Sequence, residues 1–244
     1  MLSRRFAFLA AILAALSLVV FVAPGFAIRK AIVGQLFGPR MVRAQVLERS
    51  GVQMNLDRGV ITQVSGTQLT LREFDGRIQS IPLSSSTQVI HLGHQLPLSS
   101  LALRWRVLVT WPATGAAQSV DVEKIPRTPG SSAGLVRKVI VVQFLGPRMI
   151  RAQVLERSGL QLNLDRGVLT QVSDTQLTLK EADGRIQAIP VDSTTKVIRL
   201  GHQLPLTLLA PKWRVLVTWP ATGPAVSVDV EKIAKGHGNG ASAG

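Results

Sequence analysis

Basic side chains are the most prominent groups in this chain that could do chemistry. Lys and Arg number 28 against 14 Asp and Glu, which gives a formal net charge of +14. Guanidinium groups bind phosphate and carboxylate oxygens, so this excess predicts attraction to an anionic polymer. The bland alternative is that the charge only keeps a β-rich surface soluble. The candidate polyanion-binding residues are Arg40, Arg43, Arg58, Arg72, Arg77, Arg104, Arg106, Arg148, Arg151, Arg166, Arg185 and Arg214.

The histidines suggest a metal site only at first sight. His91 and His94 lie three positions apart, a spacing that suits a metal on a helix, but the surrounding pattern is strand-like and Arg199 replaces the first histidine in a second copy of the segment. We therefore expect a surface pair and no metal site. For His94 and its counterpart His202, the expectation is a buried loop anchor, with a place on a binding surface as the alternative.

The acidic and nucleophilic residues do not form a recognisable catalytic motif. Asp57 and Asp75 each lie close to a glycine, which predicts roles in turns. A glycosidase needs two carboxylates facing one cleft, and the spacing of the acidic residues brings no such pair together. There is no nucleophile-elbow serine motif and no cysteine at all. The sequence thus predicts a non-enzymatic protein without a cofactor.

Most of the chain after its N-terminal segment consists of a tandem repeat. The stretch from Gly38 to Ile125 returns from Gly146 to Ile233 without a gap, with about four residues in five unchanged. We predict a first repeat at residues 30–125, a linker rich in Pro, Gly and Ser at 126–137, a second repeat at 138–233 and a disordered tail at 234–244. Each repeat is long enough to have a core of its own.

The N-terminal segment has the features of an export signal. Arg4 and Arg5 precede an apolar run from Phe6 to Val22, and Ala27 ends a small-residue stretch that suits cleavage. Residues 1–27 are therefore predicted to be a signal peptide, or a membrane anchor through residues 6–22 if the segment stays uncleaved. Export, with no cysteine, indicates a secreted protein or one of the extracytoplasmic envelope of a bacterium.

Within each repeat, apolar and polar residues alternate with a period of two. Such alternation runs through 52–57, 68–72, 105–111 and 120–123, with turn residues at Ser65-Gly66, Asp75-Gly76 and Pro112 to Gly115. Ile78 and Ile81 suggest a bulge, and Pro82 suggests an edge or a strand end. Short helices are expected only at 28–36, 136–145 and 96–102. The predicted fold is all-β, with two tandem small antiparallel barrels after an N-terminal hydrophobic helix.

The segment from Arg58 to Leu71, followed by Asp75-Gly76 and Ser86 to Val89, resembles a family of exported bacterial small-barrel domains catalogued as a domain of unknown function. The resemblance covers Arg58 to Ile125 and, in the second copy, Arg166 to Ile233. It implies that each repeat is a compact barrel, like the oligonucleotide/oligosaccharide-binding fold or similar to it, in an envelope or secreted protein, and it implies no activity.

Two functions remain open from the sequence. The first is a non-enzymatic binding or adaptor module of the cell envelope, which binds an anionic envelope polymer or an envelope protein through two linked basic surfaces. The second is a membrane-anchored structural scaffold with no specific ligand. Nucleic acid is disfavoured as a partner because the protein is exported and the tryptophans are expected in the core. Arginines clustered on one face would favour the first function, and an even scatter would favour the second.

Overall fold

The computed structural model describes residues 40–126 and 148–234, and these residues form sixteen β-strands. The first repeat contains β1 (Met41–Glu48), β2 (Gln53–Val64), β3 (Gln68–Glu73), β4 (Ile78–Pro82), β5 (Gln88–His91), β6 (His94–Leu96), β7 (Arg106–Pro112) and β8 (Ser119–Lys124). The second contains β9 (Met149–Glu156), β10 (Gln161–Val172), β11 (Gln176–Glu181), β12 (Ile186–Pro190), β13 (Lys196–Arg199), β14 (His202–Leu204), β15 (Arg214–Pro220) and β16 (Ser227–Lys232). The all-β prediction is confirmed.

The turns form where the sequence predicts them. Asp75-Gly76 connects β3 to β4, and the Asp75 carboxylate accepts a hydrogen bond from the Arg77 amide at 3.2 Å. Between β5 and β6, Leu92 and Gly93 both have positive φ, at 54° and 84°, as a two-residue type I′ hairpin turn requires. The histidine pair therefore flanks a hairpin turn, where His91 and His94 face each other across two strands.

The strands form one mixed sheet that is not closed into a barrel. Along its main path the order is β14-β13-β16-β15-β10-β9-β1-β2-β7-β8-β5-β6, with β3 and β4 extending from β2, and β11 and β12 from β10. The pairs β5–β8 and β13–β16 are parallel, and the others are antiparallel. The prediction of two separate barrels is therefore not confirmed. The end of β4 does approach the segment before β8, because Ala117 N donates to the Pro82 carbonyl at 2.8 Å.

Each repeat curls its strands around an apolar core of its own. In the first repeat Ile61, Leu71 and Val109 are at most 1% exposed, and Trp105 and Trp111 pack against this cluster, as the alternation predicts. The second repeat has the equivalent core around Leu169, Leu179 and Val217. The opposite face of β7 carries Leu108, which belongs to a different core.

That third core joins the two repeats. Strands β1 and β9 pair antiparallel, with Gln45 opposite its own counterpart Gln153. The amides of Arg49 and Arg157 donate to the carbonyls of Arg148 and Arg40, both at 2.8 Å, so the junction has an approximate twofold axis. Both repeats supply buried residues to this shared core: Met41, Ala44, Val46, Met54, Leu56, Leu108, Met149, Ala152, Val154, Leu164 and Leu216. The two repeats thus pack together as halves of one unit. The repeat pattern in the sequence does not reveal this interface.

Some local predictions change. Strand β4 pairs with β3 in unbroken register, so the bulge predicted near Ile78 is wrong; the irregularity lies in β2, between Ile61 and Gln63. Ile78 is simply exposed on the outer face, at 57%. Pro82 ends the strand as predicted, and a short 3₁₀ helix at Leu98–Ser100 fills the helical stretch predicted at 96–102.

The signal or anchor segment, the other two helical stretches and nearly all of the linker and tail lie outside the described residues. In the part that is described, no helix has the length and apolar character needed to cross a membrane.

Candidate anion-binding site

A buried arginine anchors a basic cluster in the first repeat. Arg58 lies on β2 and is only 3% exposed. It donates from Nε to the Glu123 carboxylate at 2.9 Å and from Nη1 to the Met41 carbonyl at 2.9 Å. Burial lowers the pKa of Arg58; Glu123 opposes this effect, and the positive charges of Arg157 and Arg106 add to it. Arg58 is thus a buried positive charge on β2 that is held in place by these contacts, and the contacts stabilise the fold.

Two further arginines of this cluster lie close to an aromatic ring. The guanidinium carbon of Arg157 is 3.6 Å from the centre of the Phe74 ring, and that of Arg106 is 5.8 Å from it. Such stacking is favourable because the ring face is electron-rich. Arg157 belongs to the turn between β9 and β10, so the second repeat contributes a cation to the first repeat's cluster. Burial and the charge of Arg106 lower the pKa of Arg157, while Glu123 raises it.

Strand register places these cations on one face. Val60 on β2 is paired with Arg72 on β3 and with Arg106 on β7. Residues directly opposite each other in neighbouring strands point to the same side of a sheet, and Arg58, two residues before Val60, shares that side. Arg58, Arg72, Arg106 and Arg157 therefore form a basic face of the first repeat. Glu123 is ion-paired to Arg58 at 2.9 Å and lies 3.7 Å from Arg106.

The second repeat has an equivalent basic face with one difference. Its cations are Arg166, Lys180 and Arg214, with Arg49 coming from the first repeat. Arg166 repeats the bond to a β-strand carbonyl, that of Met149, at 2.9 Å, and forms an ion pair with Glu231 at 3.0 Å. The ring is missing, however, because Ala182 stands in the place of Phe74.

Each repeat also contains a second polar group, the carboxylate cluster. In the first repeat Asp57 and Glu73 are 4% and 3% exposed. Arg43 donates to Glu73 at 2.6 Å and to Asp75 at 2.8 Å, and the indole of Trp111 donates to Asp57. The same arrangement recurs with Arg151, Asp165, Glu181, Asp183 and Trp219. In the second repeat a shallow hollow, lined by Arg151, Asn163, Asp165, Arg185 and Trp219 among others, opens over it.

Gly59 helps to position the carboxylate cluster. A β-carbon at this glycine would lie 2.6 Å from the Arg72 carbonyl oxygen, closer than real β-carbons come, and 3.2 Å from the Glu73 amide nitrogen, which is a tight contact. Only glycine therefore lets β3 approach β2 at this point. The close approach brings the Glu73 side chain beside Asp57.

Two adjacent buried carboxyls cannot both ionise easily. Burial raises the pKa of Glu73 to about 7, the charge of Asp57 raises it as well, and Arg43 partly opposes both. Glu181 is raised to about 7 in the same way, through burial and through a hydrogen bond and charge from Asp165. Near neutral pH each pair thus holds a proton that an isolated pair of surface carboxylates would lose.

The structure corrects the prediction for Asp57. We expected a turn residue, but Asp57 lies in the middle of β2, within a strand that continues to Val64. Asp75 does occupy a turn. The spacing of the acidic residues had indicated no carboxylate pair, yet Asp57 and Glu73 meet because β2 and β3 pair. In chemical terms the pair can hold or release a proton. A retaining glycosidase needs its carboxyls about 5 Å apart with substrate between them, whereas Asp165 lies close enough to Glu181 to raise the pKa of that carboxyl directly.

The predicted arginines fall into three groups by exposure. Exposed side chains belong to Arg40, Arg72, Arg77, Arg104, Arg148, Arg185 and Arg214. Arg43, Arg106 and Arg151 are half-buried, and Arg58 and Arg166 are buried. Arg43 and Arg151 are occupied by the carboxylate clusters. The basic faces thus include five of the candidates, namely Arg58, Arg72, Arg106, Arg166 and Arg214, and Arg77 and Arg185 lie beside the carboxylate clusters. Arg40, Arg104 and Arg148 are exposed and belong to neither group as defined above.

The histidine predictions have mixed outcomes. His94 and His202 are exposed, so the interpretation as buried loop anchors is wrong. His91 approaches the Val122 carbonyl at 3.0 Å through Nδ1. Among residues 40–126 and 148–234, no group of three or more His, Asp or Glu side chains is placed to hold a metal ion.

Sequence reasoning missed several members of both clusters. Arg49, Arg157 and Phe74 carried no signal, because their partners lie in the other repeat. For Asp57 and Glu73 the sequence contains a weak signal. Gly59 lies two positions after Asp57 in a strand-like pattern, and a glycine within a strand indicates that another backbone approaches closely.

Comparison of the chain with family models, with curated proteins and with solved structures finds no match.

Proposed function

We propose that this protein is a non-enzymatic, extracytoplasmic binding module of the bacterial cell envelope that binds an anionic polymer through its two basic faces. The observation that carries the proposal is the register of β2, β3 and β7. It gathers Arg58, Arg72 and Arg106 on one face, and Arg157 of the other repeat completes the set. The second repeat supports the proposal with the equivalent cations. Export rests on the N-terminal sequence, and membership of the small-barrel family is part of the proposal.

The junction between the repeats supports bivalent binding. The β1–β9 pairing and the shared core fix the two basic faces relative to each other. A polymer that engages one face then meets the second at a high effective concentration, so the pair binds more tightly than either face alone. Each face also needs an arginine from the other repeat, which makes the tandem the functional unit.

Exposed cations on the basic faces provide the test. We would replace Arg72 and its counterpart Lys180 by Gln, and compare a control in which Arg77 and Arg185 are replaced by Gln. Each double variant removes two exposed positive charges. Arg77 and Arg185, however, lie beside the carboxylate clusters and not on the basic faces. Binding of the full chain to dextran sulfate and to neutral dextran would be measured across a salt series.

We expect the parent to bind dextran sulfate with an affinity that falls steeply with salt. The Arg72/Lys180 variant should bind more weakly and with a smaller salt slope, by about one for each contact removed. The control should stay close to the parent. Equal losses in the two variants would mean that only net charge matters and would contradict the proposed face.

The alternative is a membrane-anchored structural scaffold of the envelope. The observation that favours it is the continuous sheet, which joins the repeats through a paired strand and a shared core as a rigid spacer would. It predicts no preference for dextran sulfate over neutral dextran.

A further inference from the structure

A cavity of about 160 Å³ lies on the basic face of the second repeat. It is lined by the apolar side chains of Met149, Ile150 and Val168, by the cations Arg49, Lys180 and Arg214, and by the buried pair Arg166 and Glu181. Within residues 40–126 and 148–234, none of the first three cations has a carboxylate within ion-pair distance. The cavity thus combines apolar lining residues with an excess of cations over carboxylates.

In the first repeat, an aromatic ring occupies the position that corresponds to this cavity. Arg49 and Arg214 are the counterparts of Arg157 and Arg106, the two arginines whose guanidinium carbons lie 3.6 Å and 5.8 Å from the Phe74 ring. In the second repeat Ala182 replaces Phe74, so the ring is removed while the residues around it are retained. The cavity occupies the position that an aromatic ring fills in the other copy.

Size and charge define the ligand. A cavity of about 150 Å³ accommodates benzene, so the volume suits one six-membered ring. Guanidinium groups favour the face of such a ring, and cations at the rim favour an acidic substituent on it. We propose that the cavity beside Ala182 binds a small aromatic carboxylate, with its ring between Arg49 and Arg214 and its carboxylate toward Lys180.

The two repeats supply matched variants for the test. Calorimetric titration of the full chain with benzoate should show one site, and cyclohexanecarboxylate, which has the same charge but no aromatic ring, should bind at least threefold more weakly. The substitution Ala182→Phe fills the cavity with the chain's own ring and should weaken benzoate binding at least tenfold. The substitution Phe74→Ala opens the equivalent space in the first repeat and should raise the number of benzoate sites from one to two.

The opposite results overturn the proposal. Absence of benzoate binding by the parent, or a number of sites that stays the same in both variants, would do so. Thermal unfolding followed by circular dichroism would show that each variant is folded, and the gain of a site in Phe74→Ala does not depend on the stability of Ala182→Phe. Ala182→Phe changes no charge and gives the second repeat the ring that the first repeat already has, so it should keep the parental salt-dependent binding of dextran sulfate, which separates this inference from the proposed function.

Discussion

The buried carboxyl pairs should make the protein less stable as the pH rises toward neutrality. Below pH 4.5, the ordinary pKa of a glutamate, Glu73 is protonated in both the folded and the unfolded chain. Between that value and about 7, the unfolded chain loses the proton while the folded chain keeps it, so unfolding becomes more favourable. Above about 7 both states are ionised, and the loss reaches its full size. The same argument holds for Glu181.

The size of this loss follows from the range over which only the folded state holds the proton. At about 1.4 kcal/mol per pH unit, a rise from 4.5 to about 7 sets an upper bound of about 3.5 kcal/mol for each repeat. Arg43, the partner of Glu73, is partly exposed, at 29%, so water screens the charges of the group and reduces this cost. We therefore expect about 1 to 2 kcal/mol per repeat.

Chemical denaturation between pH 4.5 and 8 tests this prediction. The variant with Glu73→Gln and Glu181→Gln places an amide beside Asp57 and Asp165 that cannot ionise. Its unfolding free energy should fall less with pH than that of the parent, by about 2 to 4 kcal/mol in total. Other carboxyls, including Asp121, whose pKa burial raises to about 6, titrate in both proteins and cancel in the difference.

A matched control removes the other carboxylate on the same arginine. Asp75 also pairs with Arg43, at 2.8 Å, but it is 33% exposed. Asp75→Asn, with Asp183→Asn in the second repeat, should therefore keep the parental pH dependence. The reasoning would be refuted if the glutamine variant also kept it.

Three further predictions concern stability. Gly59→Ala places a β-carbon 2.6 Å from the Arg72 carbonyl oxygen and should cost about 1 to 3 kcal/mol in urea unfolding, whereas Gly66→Ala, in open space, should change stability by less than about 0.5 kcal/mol. Val154→Asp buries a charge in the shared core, so hydrogen exchange should increase in β2 of the first repeat as well as in β10; an effect confined to the second repeat would contradict a shared core. Leu200→Gly relieves a φ of 50° and should raise the melting temperature, with a gain of up to about 1 kcal/mol.

The sequence alone determined the features that depend on neighbouring residues. Alternation of apolar and polar side chains located β2, β3, β7 and β8, because a strand with one buried face requires that period. Asp75-Gly76 located a turn, because its backbone geometry suits few other residues. The tandem repeat was also visible in the sequence, because the two copies are nearly identical.

The sequence did not determine which strand would pair with each edge, or which core would cover each face of a strand. The expectation of two separate barrels assumed that each repeat satisfies its own edges, but the edge of β1 is paired with β9. The predicted face for Trp111 held, since it shares one side of β7 with Val107 and Val109, which belong to the core of the first repeat. Leu108, on the other face of β7, packs in the shared core, which depends on the second repeat.

Only the tertiary structure brought the functional groups together. Asp57 meets Glu73 through the pairing of β2 with β3, and Arg157 reaches Phe74 from the other repeat. The difference between Phe74 and Ala182 is visible in the sequence, but its meaning requires the two arginines that surround the ring. These contacts join residues far apart in the chain, and local patterns of polarity carry no information about the partner that a distant strand will supply.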